Sequence, residues 1–286
     1  MYNIPMRYER CDGGYAVYDY NYFDPSQSFD CGQCFRFERE ADGTWSGVAR
    51  GVFFGVKDEG DRLFIRCERE DELKDVILPF LALDEDYGLI REDIKLRFGD
   101  DVTMTAAMEL GSGIRILRQE PWEALCSFII SQNNNIPRIK KIIETLCQRY
   151  GRPLPKGRYA FPTPEALRDA GVDALFECRT GFRAKYIYDA ACKVCDGTLD
   201  LNAVMTLPTA EADAALQAVK GVGAKVSACA LLFGLGKTDA FPIDVWMKRI
   251  IDEYYGGVMD VPSLGRYAGI AQQYLFYYIR SIQIPG

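Results

Sequence analysis

Apolar positions along this chain fall into two regimes. In the first third they form short aromatic and β-branched runs: Tyr15-Ala16-Val17-Tyr18, Cys34-Phe35-Arg36-Phe37-Glu38, Gly51-Val52-Phe53-Phe54-Gly55-Val56 and Arg62-Leu63-Phe64-Ile65-Arg66-Cys67. Asp42-Gly43 and Asp58-Glu59-Gly60-Asp61 are turn sequences between them, so the runs predict β-strands. Phe35 and Phe37 alternate with Arg36 and Glu38, which implies one wet face and hence an antiparallel sheet. Helices near 71–80 and 87–98 are expected to cover the other face.

The pattern changes around Gly111-Ser112-Gly113. Trp122, Leu125, Phe128 and Ile129 recur at helical spacing and stop at Ser131-Gln132-Asn133-Asn134-Asn135. Ile136, Ile139, Ile142, Ile143 and Leu146 then mark one face of a second helix. Further helices are predicted near 163–170, 181–195, 209–219, 224–235, 244–255 and 268–280. No repeat or low-complexity segment interrupts them. The fold class predicted is α+β: an antiparallel-sheet domain with flanking helices over residues 1–112, followed by a mostly helical domain over 113–286.

Composition narrows the classes. An apolar fraction of 48% over 286 residues suffices for a sizeable core. No apolar run reaches membrane-spanning length, and Met1-Tyr2-Asn3-Ile4-Pro5-Met6-Arg7-Tyr8 lacks a signal core, so a cytoplasmic protein without membrane partners is expected, nucleoid-associated if prokaryotic. The 10 cysteines read as reduced, packed thiols. Cys31/Cys34 and Cys192/Cys195 invite a zinc site, but the pairs lie far apart and the chain has no histidine, so neither a metal nor a cofactor is expected. The missing histidine also excludes Ser-His-Asp and Cys-His catalysis. A net charge of −7 argues against a nucleic-acid partner when taken alone. Much of the acid, however, is concentrated in the first third, whereas Arg138, Lys140, Lys141, Arg149, Arg152, Lys156 and Arg158 form a basic stretch extended by Arg179, Arg183 and Lys185.

The densest chemistry lies in Leu216-Gln217-Ala218-Val219-Lys220-Gly221-Val222-Gly223-Ala224-Lys225 and in Phe241-Pro242-Ile243-Asp244. Gly221 and Gly223 permit a tight turn whose N–H groups can hold a phosphate. Lys225 falls in the first turn of the following helix, where the positive helix end and partial burial favour a neutral, nucleophilic amine. One helix and a return loop bring Asp244 back towards it. A surface lysine and a capping aspartate are the plain alternative.

This pairing resembles the helix–hairpin–helix DNA glycosylases, in which a glycine-rich loop precedes a catalytic aspartate and a lysine at this place marks bifunctional glycosylase/lyases. Cys31-Gly32-Gln33-Cys34-Phe35-Arg36 and Ser127-Phe128-Ile129-Ile130-Ser131-Gln132-Asn133-Asn134-Asn135-Ile136-Pro137-Arg138 narrow the resemblance to the 8-oxoguanine DNA glycosylases. It implies excision of 8-oxoguanine from double-stranded DNA, preferably opposite cytosine, with strand nicking by β-elimination, performed by a monomer. In that reading Lys225 attacks C1′ and Asp244 stabilises the oxocarbenium-like transition state. Gly32 would offer its carbonyl to N7–H, a donor in the lesion and an acceptor in guanine. Cys229, Phe128, Gln272 and Phe276 would complete the base pocket.

The remaining carry-over concerns the duplex. Asn133 would enter the space left by the flipped base, and Phe182 would wedge where the family has tyrosine. Arg138 and Arg183 would contact the orphaned cytosine, while Gly221 and Gly223 would grip phosphate. Trp246 stands where the family often has a phosphate-touching histidine, which puts that contact in doubt. Two other readings stay open: a sibling glycosylase acting on another damaged base, and a non-catalytic helix–hairpin–helix DNA-binding protein. The first is opposed by the Cys31–Phe37 segment, the second by Lys225 and Asp244.

Overall fold

In the first third the β-rich runs join into one antiparallel sheet of six strands, in a computed structural model that describes residues 6–283. Most of the N-terminal stretch read above for a signal core therefore lies outside the described residues. The strands are β1 (Arg7–Cys11), β2 (Gly14–Tyr18), β3 (Phe37–Arg39), β4 (Trp45–Ala49), β5 (Val52–Asp58) and β6 (Leu63–Arg66), in the order β1-β2-β6-β5-β4-β3. Pairing Val17 with Leu63 and Val56 with both Trp45 and Ile65 aligns the apolar residues on one face. Their core also contains Phe29, Phe37, Phe54 and Phe80, with Phe37 stacked on Phe29 at 4.2 Å between ring centroids.

Three local expectations change. β1 and β4 were not anticipated, because β4 reads Trp-Ser-Gly-Val-Ala, a composition poor in β-branched residues, and owes its place to burial along its whole length. Cys34-Phe35-Arg36 is not strand. The side chain of Gln33 ties that segment elsewhere, donating to the carbonyls of Ser28 and Arg115, each at 2.8 Å, and accepting from the Leu117 N–H at 2.8 Å. Finally, of the two helices expected over the sheet, only the segment around Leu73, Ile77 and Leu81 covers it. Helix Tyr87–Phe98 turns Tyr87, Ile90 and Ile94 into the helical core, beside helix Val102–Leu110 and the 3₁₀ segment Val261–Tyr267. The sheet face is already filled, and burial is available on the other side.

The rest of the chain is mostly helical, with one short antiparallel pair, Pro153–Leu154 with Arg158–Tyr159, so the α+β class holds: a six-stranded antiparallel sheet with flanking helices, followed by a mostly helical part. Helix Leu201–Thr206 was also unanticipated, being too short to show a period. Between the two cores, Arg115 is wholly buried and donates to the carbonyls of Ala82, Glu85 and Asn21. Among the described residues no helix is long and apolar enough to cross a membrane.

Candidate active site and nucleic-acid interface

The glycine turn is built against a tyrosine ring. Gly221 has φ +77°, and a Cβ there would lie 2.4 Å from Cδ2 of Tyr186. The N–H of neighbouring Lys220 donates to Asp189 at 2.8 Å, and Lys193 reaches the same carboxylate oxygen at 2.8 Å. Burial raises the Asp189 pKa, but these two donors outweigh it and hold the group below its ordinary value. Gly221→Ala is therefore expected to lower thermal stability by about 1–3 kcal/mol, from left-handed strain plus overlap with the ring. Adding Tyr186→Leu should recover part of that loss; an unchanged melting temperature in Gly221→Ala would show that the ring does not set the turn.

Helix Ala224–Phe233 starts directly after the turn, with Gly223 as its N-cap and Lys225 in its first turn. The Lys225 ammonium donates to Ser131 Oγ at 3.2 Å and stands 5.6 Å from the centre of the Phe128 ring. Ser131 in turn donates to the Phe128 carbonyl at 2.8 Å. Asp244 caps helix Val245–Tyr254, accepting from the Trp246 and Met247 N–H groups at 3.0 and 2.9 Å. Lys225 and Asp244 form no ion pair, yet both line a cleft of about 580 Å³ with Ser131, Asn133, Trp246 and Lys248. The structure thus unites the two residues that the sequence singled out and leaves the amine unclaimed by the carboxylate.

One turn beyond Lys225, Cys229 is buried. Burial pushes its thiol up to about 11, partly offset by Lys225, so it stays neutral near pH 7. Phe128 is not a cleft wall: it is buried in the helical core under the amine, stacked on Phe233 at 5.2 Å. A second group assembles around Gly32, whose φ is +81°. A Cβ on Gly32 would meet Phe276 at 3.5 Å and Arg280 at 3.7 Å, ordinary contact distances, so it is the left-handed backbone and not crowding that calls for glycine beside this ring. The amide of Gln273 donates to the Cys31 carbonyl at 2.9 Å and fixes that loop. Gln272 is buried with its Oε1 unpartnered. A buried acceptor of this kind calls for a donor.

The asparagine run divides its work. Asn135 caps helix Ile136–Tyr150, and Asn134 donates to the Ile130 carbonyl, while exposed Asn133 takes the left-handed conformation at φ 46°. Phe182 is 51% exposed. Arg183, expected at the surface, lies instead beneath the loop, 2% exposed, donating to the carbonyls of Gln132, Asn133 and Thr180. Burial, followed by the charge of Arg138, lowers its pKa. The reason is geometric: carbonyls of a helix end and a tight loop converge there, and a guanidinium fork satisfies several at once. Arg138 remains exposed.

Sequence reasoning overlooked Ser131, Gln33 and Gln273, which hold the site residues in place. Ser131 and Gln33 lie inside the quoted motifs and Gln273 follows Gln272, but nothing in their spacing separates a bracing amide or hydroxyl from a surface one. A cleft of about 1100 Å³ around Trp122 and Pro162 is lined by none of the anticipated site residues. Cys31 and Cys34 are buried, and burial raises both thiols, Cys31 to about 11.

Comparison with known proteins adds an independent line. The family described as 8-oxoguanine DNA glycosylase, N-terminal domain, matches residues 17–125, and the HhH-GPD superfamily base excision DNA repair protein family matches residues 126–260. The N-glycosylase/DNA lyase of Saccharomyces cerevisiae is 32% identical over 66% of this chain and 53% of its own length, so the chain spans about half of that relative. N-glycosylase/DNA lyase OGG1 of Arabidopsis thaliana is 29% identical over 87% of this chain and 75% of its own. Among solved structures, the Clostridium acetobutylicum 8-oxoguanine glycosylase/lyase with double-stranded DNA containing cytosine opposite 8-oxoG is 36% identical, with a TM-score of 0.89, covering 99% of this chain and 100% of that one. The structure of MBOgg1 with a low-affinity DNA ligand is 40% identical at a TM-score of 0.91, covering 98% and 99%.

Proposed function

This chain belongs to the 8-oxoguanine DNA glycosylases, a family of base-excision repair N-glycosylase/DNA lyases, and from that premise we propose that it excises 8-oxoguanine opposite cytosine and then nicks the strand. The observation that carries this reading is the cleft shared by Lys225 and Asp244, bordered by exposed Asn133. The Lys225 amine, having given up its proton, attacks C1′ of the flipped nucleotide. The glycosidic bond breaks, the base leaving with its electron pair and taking up a proton. Asp244 supplies negative charge where the sugar becomes positive. The aminal so formed opens: C1′–O4′ breaks, O4′ takes up the amine's proton and an iminium is left, and loss of a proton from its C2′ then expels the 3′ phosphate.

Base selection is assigned to the second group. The Gly32 carbonyl would accept from N7–H, Phe276 would stack on the ring, and the unpartnered Gln272 Oε1 would accept from the base edge. We read the protein as acting alone, as a monomer of the cytoplasm. Borohydride trapping on duplexes carrying different lesions tests the substrate. Strongest trapping on 8-oxoguanine paired with cytosine is expected, and preferential trapping on an oxidised pyrimidine would point to a sibling activity.

Arg138 is the arginine free to read the orphaned base, since Arg183 is committed to loop carbonyls. Cytosine offers O2 and N3 acceptors to a guanidinium, whereas adenine opposes it with its N6 donor. Such a mismatch costs about 1–3 kcal/mol, so excision opposite cytosine should exceed that opposite adenine at least about tenfold. Arg138→Ala should erase this preference while still cutting other pairings. A uniform loss across opposing bases with a flatter salt dependence would reassign Arg138 to phosphate.

A further inference from the structure

A further cleft lies between helix Ile136–Tyr150 and the turn that precedes Phe182, with Gly181 in its lining, whereas Asn133 lines the Lys225 cleft. It encloses about 440 Å³ and is lined by Arg138, Lys141, Ile142, Thr145, Phe176 and Arg179. It shares no lining residue with the Lys225 cleft. Three features distinguish it. Arg138, Lys141 and Arg179 bring three cations to one concavity, and none of their side chains forms an ion pair among the described residues, although neighbouring Arg149 is paired with Glu177 at 3.3 Å. Phe176, at 61% exposure, projects beside them. Arg179 itself holds φ 64°, a left-handed conformation that costs a non-glycine residue energy. That conformation closes the helical segment Phe176–Thr180 and leaves the Arg179 side chain exposed on the cleft.

We propose that this cleft grips the backbone of the undamaged DNA strand, with Arg179 contacting a phosphate and Phe176 lying against the adjoining deoxyribose. The ligand class follows from charge: clustered, unpaired guanidinium and ammonium groups suit a polyanion, and an aromatic ring beside them suits a sugar face. The choice of strand follows from position. The lesion strand must present C1′ to Lys225 on one side of the Asn133–Phe182 edge, so the strand that remains stacked passes on the other. Arg183, bonded to the carbonyls of Asn133 and Thr180, ties the two sides into one rigid rim. This inference rests on the glycosylase reading above and assigns it an anchoring site for the second strand.

Equilibrium binding to duplexes containing 8-oxoguanine, with each phosphate of the undamaged strand replaced in turn by a neutral methylphosphonate, tests it. Trapping-dead protein carrying Lys225→Gln keeps the DNA intact during the measurement. Affinity should fall about threefold to tenfold at one or two positions of that strand, and adding Arg179→Gly should remove this sensitivity and reduce the salt slope by about 1. Because glycine relieves the left-handed strain, Arg179→Gly should melt no lower than its parent. Arg179→Lys, which keeps charge at the same strained position, should retain most of the slope. An Arg179→Gly protein with unchanged affinity, slope and methylphosphonate sensitivity overturns the proposal. Sensitivity confined to the lesion strand overturns the strand assignment. Failure of the glycosylase reading would appear separately, as equal affinity of the parent protein for lesion and undamaged duplexes.

Discussion

Borohydride should capture the wild-type chain on 8-oxoguanine DNA and should fail to capture Lys225→Gln. Trapping requires an iminium between a protein amine and C1′; Lys225 and Lys248 both line the cleft with Asp244, and Lys225 is the one held by Ser131 Oγ in the first turn after the glycine loop. Glutamine is close to lysine in reach and can still donate to Ser131 Oγ, so the cleft should keep its shape. What disappears is the nucleophile. Excision should slow by about a thousandfold or more, equivalent to about 4 kcal/mol of transition-state stabilisation, while affinity for lesion DNA stays within about threefold. An adduct of normal yield in the variant would place the nucleophile on another residue.

Asp244→Asn should separate two roles that one carboxylate fills. As an N-cap, Asp244 accepts two backbone N–H bonds, and asparagine caps nearly as well, so the melting temperature should hold. The developing positive charge on the sugar, by contrast, loses its counter-charge. Single-turnover excision is expected to fall by about 100-fold to 1000-fold, in the range seen when one preorganised electrostatic group is removed. Asp244→Ala provides the contrast, losing charge and cap together, with an added stability cost of about 1 kcal/mol. If the asparagine variant excises at the wild-type rate, capping is the residue's whole role.

Both predictions concern residues legible in the sequence, and the reason is local. A glycine turn, a lysine in the first helical turn and an aspartate before the next helix are set by short-range backbone rules, which sequence spacing reports directly. The same holds for the cap at Asp244 and for the strands of alternating aromatic residues. Arg183 illustrates the opposite case. Its charge and place beside Phe182 suggest a surface contact, and nothing nearby in sequence reveals the carbonyls of Gln132 and Asn133 that claim it. Phe128 was drawn into the pocket by its motif, whereas its ring packs on Phe233 in the core. Strand Trp45–Ala49 went unseen because its burial, more than its composition, makes it a strand.

By itself the sequence determined the α+β class, the glycine turn at Gly221 and the placing of Lys225 and Asp244 at two helix starts, since each depends on periodicity or on the conformational freedom of single residues. Tertiary structure alone decided that helix Tyr87–Phe98 joins the helical core, that Gln33 and Gln273 brace the Gly32 loop, that Arg183 props the asparagine turn, and that Arg138, Lys141 and Arg179 share one cleft. The division has one physical cause. Hydrogen-bond partners and charges that meet across long stretches of chain are chosen by packing, because a buried polar group takes whichever partner the folded surface brings within reach.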